Sequence, residues 1–171
     1  MRLPIALLSA TALVACSKDP EPKPAPTPPP QGGELATPPP PEIPAAVWSR
    51  LSSGEGEALR LETGGELIAL LVCRADGSGL HAASDRFQPV MSEERFTLGA
   101  GDEAFTLVAD LTADRPRGVQ ASGEIPLDFI DRVEAGQPVT FNYGFQTVGP
   151  LPPVPQADAR AFAGACRDIA Q

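Results

Sequence analysis

A serine or cysteine nucleophile needs a base beside it, and this chain holds one histidine, His81, which any Ser-His-acid or Cys-His site would have to use. Gly77-Ser78-Gly79 stands nearby but lacks the G-x-S-x-G spacing of a nucleophile elbow. His81 reads as a turn-adjacent strand residue, exposed or partly so, and no catalytic role is assigned to it. Phosphate cradles fail as well. There is no Walker or dinucleotide glycine pattern, and Gly54, Gly56, Gly99 and Gly101 read as turn residues. Carboxylate pairs are better represented. Asp128 and Asp131 lie three apart, and Glu93-Glu94 and Asp102-Glu103 are adjacent, while glycoside hydrolysis works through two carboxylates. A general acid among them needs burial in a cleft to raise its pKa, and their polar surroundings in sequence read instead as solvated faces. No D-x-D-x-D loop and no CxxC occur, and two cysteines with His81 are too few ligands at these spacings. No metal and no cofactor are expected.

The remaining chemistry belongs to the cysteines. Cys16 closes the sequence Leu13-Val14-Ala15-Cys16, at the end of an apolar run that Met1-Arg2 opens. From Leu3 to Val14 that run is about a dozen residues, a signal-peptide length, whereas a spanning helix needs roughly 17–25. Leu13-Val14-Ala15-Cys16 resembles the lipobox of bacterial lipoproteins, with a branched aliphatic residue three before the cysteine and a small residue just before it. The resemblance implies that residues 1–15 are a signal peptide and that the Cys16 thiol receives a diacylglycerol. The new amino group of Cys16 would then take a fatty acyl chain such as palmitate. Two or three chains hold where one is marginal, because each buried methylene contributes about 0.8 kcal/mol. In Gram-negative members of the family, a serine after the cysteine, as Ser17 is here, directs the protein to the outer membrane, where it faces the periplasm. The alternative at the same end is ordinary secretion, with cleavage after Ala10-Thr11-Ala12.

Lipidation of Cys16 removes the odd thiol of an exported chain and leaves Cys73 and Cys166 as an even pair. Outside the cytoplasm such a pair can persist as a disulfide, and its loop of about 90 residues is worth roughly 4–5 kcal/mol in the chain-entropy account.

Between the anchor and the first aromatic residue, composition forbids a core. Pro20, Pro22, Pro24 and Pro26 alternate with charged or small residues, and Pro28-Pro29-Pro30 and Pro38-Pro39-Pro40-Pro41 follow, with Gly32-Gly33 between. Residues 16–46 therefore read as a lipidated cysteine on a disordered, proline-rich tether. As polyproline II, roughly 27 residues extend on the order of 80 Å at most.

All seven phenylalanines, Trp48 and Tyr143 lie beyond residue 46, so residues 47–171 read as one globular domain. Its 18 acids against 10 basic residues, within a chain of formal charge −9, argue against nucleic acid as a partner. Ala58–Glu62 and the apolar run Glu66–Arg74 flank Gly64-Gly65 as a hairpin, the second strand reading as buried on both faces. Asp76-Gly77-Ser78-Gly79 turns into a short segment, Leu80–Ala83. Arg95–Leu98 and Phe105–Ala109 form a second hairpin, and Val119–Ile125 a weaker strand. Pro126–Gly136 has a proline start and a glycine stop, a short helix with Leu127, Ile130 and Val133 on its buried stripe. Val139–Tyr143 alternates as a strand. In the last helix Ala159, Phe162, Ala163, Cys166 and Ile169 or Ala170 share one face, which aims Cys166 at the strand ending in Cys73.

The fold expected is mainly β (α+β): an antiparallel curved sheet or small sandwich, with a short mid-domain helix and a C-terminal helix packed on the sheet. The order of its two cysteines and closing helix has a distant likeness to accessory lipoproteins associated with type VI secretion, from which no functional residue is carried over. The function expected is that of a membrane-anchored envelope lipoprotein binding a protein or cell-wall partner. Alternatives are a carboxylate-dependent envelope hydrolase and a structural accessory subunit of a secretion or envelope complex. Candidate contact residues are Trp48 and the stretch Phe141-Asn142-Tyr143-Gly144-Phe145, for which core packing is the competing reading.

Overall fold

The computed structural model describes residues 46–112 and 118–171. The signal peptide, Cys16 and the proline-rich tether lie outside the described residues. Among those residues the strands are β1 (Val47–Ser53), β2 (Gly56–Thr63), β3 (Glu66–Arg74), β4 (Leu80–Ser84), β5 (Arg95–Ala100), β6 (Glu103–Ala109), β7 (Val119–Gly123), β8 (Val139–Tyr143) and β9 (Gln146–Val148). The helices are α1 (Leu127–Glu134) and α2 (Gln156–Ile169). All nine strands belong to one antiparallel sheet in the order β1-β2-β3-β4-β7-β6-β5-β8-β9, curled into a half-barrel. A curved sheet with two helices is therefore the architecture; the sandwich is not.

Hairpin chemistry explains most of the order. Gly64 and Gly65 both take positive φ between β2 and β3, and Gly101 does so between β5 and β6. Side chains alternate across the sheet, so one face of each strand is inward. On β3 that inward set is Leu67, Ala69, Leu71 and Cys73, while Ile68, Leu70 and Val72 are only half-buried. The expectation of burial on both faces is corrected here. No second layer covers the outer face of β3, and its apolar run shields itself only in part. Gly56 starts β2 against the end of β3, and a Cβ there would stand 2.1 Å from the Cys73 carbonyl oxygen.

The helices close the inner side. On α2, Ala159, Phe162, Ala163 and Cys166 are buried, and Cys166 is bonded to Cys73 across a sequence separation of 93. α1 buries Phe129, Ile130 and Val133. Leu127, expected on that stripe, is 44 % exposed. As the first helical residue it points away from the sheet, and Phe129 takes its place. Phe87, Phe96, Phe141 and Tyr143 pack ring on ring at the other end of the core, with centroids 5.4–6.5 Å apart. The last strand residues expected at Val119–Ile125 stop at Gly123.

Candidate interaction site

His81 stands half-buried on the outer face of β4, between Val72 and Ser122. Ser78 turns back instead: its Oγ donates to Asp76 Oδ1 at 2.7 Å and its amide to the same oxygen at 3.0 Å. That hydroxyl, then that amide, hold the Asp76 carboxyl below its ordinary value. The turn is thus an acid satisfied by its own loop.

Three carboxylates from two separate segments border one depression. Glu103 from the β5–β6 hairpin and Asp128 and Asp131 from α1 line a depression of about 460 Å³ with Arg132 and Gln137. Arg132 Nη1 donates to Asp102 Oδ1 at 2.8 Å, and Nη2 to Glu103. Arg167 of α2 does the same between α1 residues, to Asp131 Oδ1 at 2.6 Å and to Glu134. The Asp102 carboxyl is held below its ordinary value by its own backbone amide and by Arg132. Glu103 is 49 % exposed and Asp131 58 %. The arrangement pins α1 to its neighbours with charge-assisted hydrogen bonds. It lacks the dry wall that raises the pKa of a general acid. Among the described residues no group of three or more His, Cys, Asp or Glu is placed to hold a metal ion.

The contact residues expected from the sequence divide. Trp48 is buried, and its Nε1–H donates to the Pro152 carbonyl at 2.7 Å, fastening β1 to the loop before α2. Phe141 and Tyr143 are buried on the inner face of β8, and Asn142, half-buried outside, accepts from Thr147 Oγ1 at 2.9 Å. For those residues core packing is what the structure contains. Phe145 differs. It sits at the tip of the β8–β9 hairpin, after Gly144 at φ +58°, and is 90 % exposed.

That tip is held firmly from behind. Tyr143 Oη accepts from the Val90 amide at 3.1 Å and donates to its carbonyl at 2.8 Å. The Gln146 amide clamps the backbone of Gln88, accepting from its N–H at 2.7 Å and donating to its carbonyl at 2.8 Å. The segment so fixed also presents Met91, 74 % exposed. Two large apolar side chains therefore stand out from a braced end of the domain. No residue type separates Phe145 from its neighbours in sequence; its exposure follows from its place at the hairpin tip, beyond the last paired position. Met91 carries no sequence signal either.

No protein-family model, no curated protein and no solved structure matches this chain. No described helix is long and apolar enough to cross a membrane.

Proposed function

We propose that the protein is an exported envelope lipoprotein, anchored through acyl chains on Cys16. Its domain, carried on the proline-rich segment, engages a protein partner of the envelope through the Phe145 tip. The observation that carries the reading is the Cys73–Cys166 disulfide, which pairs two of three cysteines and leaves Cys16, in its lipobox-like setting, as the odd one. Structural disulfides persist in oxidising compartments, so this bond agrees with export. A protruding aromatic on a rigid support suits insertion into a pocket of another protein, because little side-chain freedom is lost on docking.

Intact mass of the protein purified from membranes tests the anchor. The expected species begins at Cys16 and carries the added mass of a diacylglycerol and an acyl chain. A mature chain beginning at Leu13, or at Cys16 without lipid mass, rejects it.

A further inference from the structure

We propose that two copies of this chain pair edge to edge through β1, antiparallel about a two-fold axis at Ser49, joining the two half-barrels into one continuous sheet. Among the described residues β1 pairs with β2 alone, so its other edge presents unpaired backbone groups along seven residues. Sheet edges are normally blunted by shortness, proline, lysine or a bulge. β9, at the far edge, has three residues, begins at the clamping Gln146 and leads into Gly149-Pro150. Apart from Arg50, whose charge is taken up by Glu57 and Asp158 of its own chain, β1 has none of these devices: Val47-Trp48-Ser49-Arg50-Leu51-Ser52-Ser53 contains no proline and no lysine, and its pairing with β2 is unbroken.

The side chains select the register. A two-fold axis normal to the sheet keeps each residue on its own face, so the axis must pass through one residue of β1. Centred on Ser49, it sets Val47 opposite Leu51 twice, and these are the two exposed apolar residues of β1, at 68 % and 48 %. Centred on Arg50, it would set two guanidinium groups face to face, which is unfavourable. Leu51 already lies beside Ala58, which pairs with Val72, so the chosen register extends an existing outer row of apolar side chains.

Charge is balanced at this edge although the chain is acidic. Arg50 is paired with Glu57 and, at 3.7 Å, with Asp158, and Arg60 with Glu62 at 2.6 Å. One adhesive edge against one blunt edge gives a closed pair rather than a filament.

A single cysteine tests the register in the full chain, kept in detergent. Ser49→Cys places two Cα atoms about 5 Å apart across the axis, within disulfide reach. Ser53→Cys places its two copies on the order of 25 Å apart. The native disulfide is fully buried and stays out of the exchange. The expected result is a disulfide-linked dimer from Ser49→Cys and none beyond the unsubstituted level from Ser53→Cys, with light scattering giving the mass of two chains. Leu51→Lys, at an exposed site that leaves the fold intact by circular dichroism, should weaken the dimer about tenfold or more, since symmetry applies the change twice. Equal cross-linking from both cysteines, a single-chain mass at every concentration, or capture of Ser49→Cys by a different protein overturns the proposal.

Discussion

Phe145 and Phe162 are the same side chain in opposite circumstances. Phe162 is fully buried under the sheet, and truncation to alanine would leave a cavity costing roughly 3–5 kcal/mol. Phe145, 90 % exposed, contributes next to nothing to that core. Phe145→Ala should therefore shift unfolding by less than about 0.5 kcal/mol in a urea titration. If the tip is the anchoring contact, the same substitution should weaken partner capture by at least about tenfold in cross-linking from intact cells. Unchanged capture would move the contact elsewhere on the domain. Single residues of this kind are where the sequence is least legible. Alternation on β8 assigns Phe141 and Tyr143 to the core, but nothing in the residue types separates Phe145 from them until the hairpin places it beyond the last paired position. The acids illustrate the same limit. Asp102 and Asp131 read as solvated, and the pairing of Asp102 with Arg132 and of Asp131 with Arg167 depends on a tertiary approach no local pattern encodes.

Among the elements, α2 is the one most dependent on a covalent tie. Its inward stripe was plain in the spacing of Ala159, Phe162, Ala163 and Cys166, and the strand ending in Cys73 was equally plain as an apolar run between turn signals. Replacing both cysteines, Cys73→Ser with Cys166→Ser, should lower stability by roughly 2–5 kcal/mol in chemical denaturation, with the far-ultraviolet spectrum retained because Phe162 still packs. Loss of all helical signal would mean that the bond, rather than apolar burial, holds α2 in place. Elements with weak patterns escaped the sequence reading. Four of the seven residues of β1 are serine or arginine and only Trp48 is buried, and β9 is three residues long. The outer face of β3 misled for the opposite reason: Ile68, Leu70 and Val72 are as apolar as its inner face, so periodicity could not tell covered from half-covered.

At the scale of the molecule, antiparallel β with two helices follows from hairpin signals and helix caps, but the strand order does not. β7 returns to lie between β4 and β6, a non-local pairing that no turn dictates. It also creates a seam. β7 pairs with β4 at five positions but with β6 only at Val108–Ser122 and Ala109–Ala121. Beyond that contact no further pairing of β6 with β7 occurs among the described residues, and a groove there is lined by Phe105, Leu107 and Ile125. Native-state hydrogen exchange should register the difference, with amides of Ala104–Leu107 exchanging at lower opening free energy than those at the middle of β3 and β4. Uniform protection across the sheet would mean the two parts open as one unit.

The indole of Trp48 has one more consequence. Any tension drawn along the chain from the N-terminal side reaches the domain at the outermost strand, the position from which hydrogen bonds are most easily peeled one at a time. The ring lies within the first two residues of that strand and is latched to Pro152, so the load is passed at once to the far end of the chain before β1 can unzip.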